Sequence, residues 1–199
     1  SILDHIRTGN TSDQDVALLN ERSGQNAALA SSSDFNITLT SRRDRAMAIN
    51  ESQLAELESK KSEFKGSVSG EFPESSLPTD LALALKEGAQ VMFIANDPNH
   101  EWVNGTLGRY LGANEEFGLE VALEDGRECQ VEPYTWENKR YSLNEENNTI
   151  EEEVIGRFTQ YPLRLAWAIT IHKSQGLTFD HATIDFSDGT FAAGQAYVA

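Results

Sequence analysis

The chain has 199 residues with 39% hydrophobic content, enough for one ordinary core and a small appended domain. Its single cysteine, Cys129, excludes a disulfide framework or cysteine-based zinc site, and its four scattered histidines show no metal-ligand spacing, so no metal site is expected. The net charge of −16 excludes a broad phosphate-binding surface and predicts weak nucleic-acid binding by the isolated chain, unless a local basic patch supplies it. In chain order, residues 2–7 read as the end of a helix closed by Gly9. Thr11-Ser12-Asp13-Gln14 has a capping-box pattern, and Val16, Leu18 and Leu19 follow as the apolar face of a helix ending near Gly24. Residues 35–40 alternate apolar with polar and read as a strand. Ser41 is placed to cap the next helix, which carries Ala46, Ile49, Leu54 and Leu57 and stops near Gly66. Strand, cap and helix in succession form an α/β pattern. Residues 71–80 are a loop rich in Pro and Ser.

The texture changes from Gly88 to about Thr159. Gln90-Val91-Met92-Phe93-Ile94-Ala95 is a short apolar strand, broken by Asn96-Asp97-Pro98-Asn99. Further short strands are expected over residues 106–111, 118–123, 128–131 and 139–143, with a hairpin turn at Asp125-Gly126. Such closely spaced strands predict a small barrel. The acidic run Glu145, Glu146, Glu151, Glu152 and Glu153 reads as a solvated face. The α/β pattern then resumes: a helix over residues 165–174 with Gly176 at its C′ position, a strand over 182–186, and the start of a helix over 192–199. A β insert inside an α/β domain is the simplest organisation. Asp180, Asp185 and Asp188 lie around one strand and read as turn and strand-end groups, since no acid/base partner accompanies them.

The most informative segment is Leu165-Ala166-Trp167-Ala168-Ile169-Thr170-Ile171-His172-Lys173-Ser174-Gln175-Gly176. An apolar run ends in a polar cluster, and the glycine beside it lets backbone or ligand come close. It resembles motif V of the superfamily-one helicases of the Pif and RecD type. Leu39-Thr40-Ser41-Arg42-Arg43 stands where motif IV would stand, and Gly88-Ala89-Gln90-Val91-Met92 through Trp102-Val103-Asn104-Gly105-Thr106-Leu107-Gly108 resembles the entry to the SH3-like insert. Gly194-Gln195-Ala196-Tyr197-Val198-Ala199 resembles the opening of motif VI, which continues in that family to a catalytic arginine. The sequence contains no Gly-x-x-x-x-Gly-Lys-Ser/Thr phosphate loop.

The resemblance implies an α/β fold: a RecA-like second motor domain of the P-loop-NTPase type (2A, residues 1–100 and 160–199) with a small all-β SH3-like barrel inserted (2B, residues 101–159). It implies a parent enzyme that hydrolyses ATP, moves 5′→3′ on single-stranded DNA and unwinds duplex. The chain alone is expected to be inactive. ATP with Mg2+ would be bound mainly by an N-terminal RecA-like domain of the same polypeptide; single-stranded DNA and forked duplex would be the other partners. Gln175 and Gly176 would stand on the nucleotide side, with Arg42 or Arg43 reaching a phosphate through its bidentate fork. Thr170, His172, Lys173 and Ser174 would face the DNA strand, and Trp102 would stack on a base. The residues themselves leave a second reading open: His172 and Lys173 complement the negative end of a helix dipole, Gly176 caps it, and Trp102 is a core aromatic. The alternative function is a non-enzymatic interaction module that uses the barrel. No apolar stretch is long enough for a membrane span and the first residues are no signal peptide, so a cytoplasmic, nucleoid-associated location is expected.

Overall fold

The computed structural model describes residues 2–21, 35–114, 118–144, 149–187 and 189. The helix expected over 192–199, with its motif VI resemblance, lies outside the described residues, as do Gly24, Glu145, Glu146 and Asp188. In chain order the elements begin α1 (Ile2–Thr8), α2 (Asp13–Glu21), β1 (Ile37–Thr40) and α3 (Arg43–Glu56). They continue β2 (Ser62–Lys65), β3 (Ser67–Gly70), β4 (Ala82–Leu85), β5 (Gln90–Phe93), β6 (Leu107–Asn114), β7 (Gly118–Leu123) and β8 (Glu128–Val131). The last are β9 (Tyr134–Asn144), β10 (Thr149–Gln160), β11 (Leu163–Leu165), β12 (Ala168–Thr170), α4 (Ile171–Ser174) and β13 (Ala182–Asp185). Contacts divide the chain into a first unit, residues 1–55 with 166–199, and a second, residues 56–165. Residues 56–100, grouped with the larger domain from sequence, make their contacts in the second unit.

In the first unit, α2 begins with a reciprocal capping box. The Asp15 N–H donates to Ser12 Oγ at 3.2 Å, and the Ser12 N–H donates to Asp15 Oδ2 at 2.8 Å. The Ser12 hydrogen bonds, with His5 beside them, pull the Asp15 carboxyl from its ordinary 3.8 to about 2. Val16, Leu18 and Leu19 stay about half exposed, so the expected apolar face of α2 is not covered among the described residues. A parallel three-stranded sheet of order β12-β1-β13 follows. Its strands carry the fully buried Ile37, Ala168 and Ile169, with Ala46 and Leu54 of α3 also in the core. The structure corrects the expected helix over 165–174: Ala168–Thr170 is a strand, and only Ile171–Ser174 is helical. A strand covered on both faces reads as a continuous apolar run, which periodicity cannot tell from a buried helix.

The second unit is antiparallel β. Its largest sheet has the order β11-β5-β6-β7-β8, with Val91, Phe93, Leu119, Val121, Val131 and Leu163 fully buried. The expected strands over 118–123 and 128–131 are present as β7 and β8, joined through Gly126 at φ +85°. A second sheet, β3-β10-β9, is dominated by the long β9–β10 hairpin. Phe158 is fully buried there, 5.5 Å from the Trp136 ring and 5.9 Å from that of Phe72. Two expectations are corrected. The helix read as running to Gly66 stops at Glu56 and gives way to β2 and β3. The strand expected over 139–143 is part of an 11-residue strand. Glu151, Glu152 and Glu153 are exposed, the solvated face read from the sequence; they lie on β10, where pairing brings Lys139 onto Glu152 and Arg157 onto Glu137.

Candidate functional site

β1 is the middle strand of the parallel sheet, and register places Thr40 opposite Thr170 on one side and Asp185 on the other. The carboxyl ends of all three strands therefore stand at one level. In open parallel sheets the crevice beyond these ends is where ligands bind. Three short segments leave the sheet there: Ser41-Arg42-Arg43, the α4 turn, and Phe186-Ser187.

The β1 exit is built around Thr40, which is buried. Its hydroxyl accepts the Arg42 N–H at 3.0 Å and donates to the Arg42 carbonyl at 2.9 Å. Ser41 does not cap α3 as expected. It is 3% exposed and donates instead to the Gly189 carbonyl at 2.7 Å, tying this exit to the segment after β13. Arg42 and Arg43 are exposed, and the Arg42 guanidinium lies 3.3 Å from Asp44, whose carboxyl it holds below the usual range. Arg45 donates to Asp185 at 3.2 Å. Hydrogen bonds from Ser187, with Arg45 adding to them, lower the Asp185 pKa. Asp185 thus has the strand-end role read from the sequence.

The β12 exit carries the remaining groups. Ile171 is fully buried and anchors the turn, while His172 and Lys173 are exposed beside it. Gln175 has φ −60° and ψ 125°, Gly176 has φ +79°, and the Leu177 N–H donates to the Ser174 carbonyl at 3.0 Å. This is a type II turn, whose second central position requires positive φ. A Cβ on Gly176 would meet nothing within 4 Å, so backbone conformation and not space selects glycine. The turn presents the exposed Gln175 and Gly176 at its apex.

Two expected site residues stand differently. Ser174 is 8% exposed and its hydroxyl donates to the Ile171 carbonyl at 2.8 Å, so it locks α4 instead of offering a donor outward. Trp102 belongs to the second unit, is 8% exposed, and stacks on Phe93 at 4.5 Å. It lines a cleft of about 330 Å3 whose rim carries Glu101, Glu124 and Asp125 beside Arg127, an excess of negative charge. Such a rim repels a phosphate backbone, and the core-aromatic reading of Trp102 fits this placement. The remaining residues, Arg42, Thr170, His172, Lys173, Gln175 and Gly176, all lie at the carboxyl ends of β1 and β12. Sequence reasoning missed the ties that hold this edge together: Ser41 to Gly189, Arg45 to Asp185, and Asn50 to Ala168. None follows a short-range spacing; each is created by the sheet.

Among the described residues, no group of three or more His, Cys, Asp or Glu side chains is placed to hold a metal ion. Among the same residues, no helix is long and apolar enough to cross a membrane.

No family model matches the chain. It is 33% identical over 203 residues to the ATP-dependent DNA helicase Pif1 of Bdellovibrio bacteriovorus, an alignment covering 100% of this chain and 43% of that protein. The structure of unliganded Pif1 from Bacteroides sp matches with a TM-score of 0.85 and 38% identity, over 99% of this chain and 45% of that one. A Bacteroides Pif1 helicase in complex with ADP-AlF3 and ssDNA matches with a TM-score of 0.73 and 38% identity, over 99% of this chain and 44% of that one. The chain spans less than half the length of these relatives.

Proposed function

The chain belongs, along the segment it spans, to the Pif1 helicases, and we propose that it works as the second motor domain of an ATP-dependent DNA helicase moving 5′→3′ on single-stranded DNA. In this reading the first unit is the RecA-like part, and the antiparallel strands over residues 101–159 are the SH3-like insert. The partner domain is an N-terminal RecA-like domain of the same polypeptide, which holds most of ATP and Mg2+. Forked duplex is the substrate that the motor opens. An intracellular location on DNA, the nucleoid in a bacterium, follows from that substrate.

The β12 exit divides the labour. Phosphoryl transfer by such motors rests on positioned donors more than on covalent chemistry. At the turn apex, the Gln175 carboxamide and the Gly176 N–H are the donors facing the nucleotide, with Arg42 as the cation beside them. Thr170, His172 and Lys173 contact the strand: Lys173 takes a phosphate, and the His172 ring is suited to stacking. The short segment Thr170–Gly176, anchored by Ile171, then carries both ligand contacts, so a shift imposed by one is felt by the other. Ser174 contributes by holding the turn closed. Trp102 is left out of the DNA path because of its stacking and its acidic rim.

The observation that carries this reading is the alignment of Thr40, Thr170 and Asp185 at three parallel strand ends, with Arg42, His172, Lys173 and Gln175 exposed just beyond. Unwinding of tailed duplexes by this chain joined to its phosphate-loop domain tests it. A duplex with a 5′ single-stranded tail should open in an ATP-dependent way, and one with only a 3′ tail should not. Opening of neither duplex by a folded protein would sink the motor reading.

A further inference from the structure

The inward face of α3 is not wholly apolar. Ala46 and Leu54 are buried on it, and Asn50 lies between them at the same helical spacing, half-buried. Its carboxamide makes two hydrogen bonds to a single residue: Nδ2 donates to the Ala168 carbonyl at 2.8 Å, and Oδ1 accepts the Ala168 N–H at 2.9 Å. Ala168 is the first residue of β12, which among the described residues pairs with β1 alone. Trp167, just before it, gives its carbonyl to the Thr38 N–H of β1. Successive residues of a strand direct their N–H and C=O to opposite edges, so those of Ala168 point away from β1. Asn50 meets both, as a neighbouring strand would.

We propose that Asn50 is a positioning residue for the motor's coupling turn, its paired hydrogen bonds to Ala168 setting where the segment Thr170–Gly176 stands relative to Arg42 and Arg43. The two clusters are joined by rigid elements only. Arg43 begins α3 and Asn50 lies seven residues, two helical turns, further along it. Ala168 lies two residues before Thr170 on β12. The clamp therefore fixes the helix that follows Arg42 to the strand that delivers His172, Lys173 and Gln175. An asparagine can do this because one side-chain amide offers both a donor and an acceptor. The reach of Asn matters: a glutamine is one methylene longer, and an alanine leaves both backbone groups of Ala168 unmet. The functional part of this inference rests on the helicase reading above; the positional part does not.

The test uses the whole polypeptide carrying this chain and its phosphate-loop domain, as wild type, Asn50→Ala and Asn50→Asp. Amide hydrogen exchange reads how firmly β12 and the segment after it are held. Asn50→Ala should speed exchange at Ala168 and through residues 170–177, with the second unit unchanged. DNA-stimulated kcat should fall about tenfold or more, while single-strand Kd and KM for ATP move less than about threefold, because a misplaced turn costs the reacting geometry more than binding. Asn50→Asp supplies the control. Ionised, it accepts from the Ala168 N–H but faces the carbonyl without a donor; protonated, it offers both again. Its deficit relative to wild type should shrink as pH is lowered from about 8 to about 6, since a half-buried carboxyl facing a carbonyl has a raised pKa. Unchanged exchange at Ala168, or loosening spread over both units, overturns the proposal. So does local loosening with kcat intact, or with kcat, Kd and KM all changed alike. If wild type shows no DNA-stimulated hydrolysis, the helicase reading fails, and the exchange pattern alone decides whether Asn50 positions β12.

Discussion

Gln175 and Lys173 are separated by one buried residue and carry opposite duties in the proposed motor, which makes them the sharpest pair to separate by substitution. Gln175 is exposed at the turn apex, and the turn is closed by backbone groups of Ser174 and Leu177. Gln175→Ala should therefore leave the turn intact and reduce turnover by about tenfold to a hundredfold, the usual cost of losing one transition-state donor, with little change in single-strand Kd. Equal losses in both would remove Gln175 from the nucleotide side. Lys173→Ala should weaken single-strand binding and reduce the salt slope of log Kobs by about one. An unchanged slope would assign Lys173 to the negative end of α4 instead. That these polar residues stand together at one chain turn was legible in the sequence because the cluster follows an apolar run without interruption. The inward turn of the Ser174 hydroxyl and the burial of Trp102 were not, since both depend on where neighbouring elements lie.

Among the elements, β7, β8 and β13 were legible because each alternates apolar with polar and is bounded by turn residues. β12 was misread as helix because the apolar run that leads into it, Ala166, Trp167, Ala168 and Ile169, has no period of two to show. β10 was missed because three consecutive glutamates are poor strand formers; cross-strand pairing with Lys139 and, further along, Arg157 with Glu137 offsets this. The hairpin has its own core residue in Phe158, fully buried between Trp136 and Phe72. Phe158→Ala should cost about 3–5 kcal/mol of stability, measurable as a shifted denaturant midpoint. A loss within about 0.5 kcal/mol, the range of ordinary surface substitutions, would contradict the packing described. At α2, folding lowers the Asp15 pKa from 3.8 to about 2. The support that Asp15 gives the capping box is therefore complete above its unfolded pKa and is lost as pH falls toward about 2. An Asp15 carboxyl that titrates at its ordinary value by NMR would show that the capping box does not form.

At the scale of the molecule, a chain of net charge −16 can serve a DNA motor only if its cations are placed and not merely numerous. Arg42, Arg43 and Lys173 stand exposed at the edge of one parallel sheet, the placement the proposed motor needs. Cys129 adds nothing to the chemistry: burial pushes its thiol up to about 12, so it stays protonated. The α/β part and the β-rich part were both foreseen from the sequence, but contacts place residues 56–100 with the β-rich unit, because β2, β4 and β5 pair there and nowhere else among the described residues. In the proposed motor this edge couples a nucleotide to a DNA strand once it is joined to a phosphate-loop domain. ATP hydrolysis by that joined polypeptide, with and without single-stranded DNA, tests it most directly. Strong stimulation by the DNA is expected, with the stimulated rate reduced about tenfold to a hundredfold in Gln175→Ala. A folded polypeptide whose hydrolysis is the same with and without DNA would contradict it.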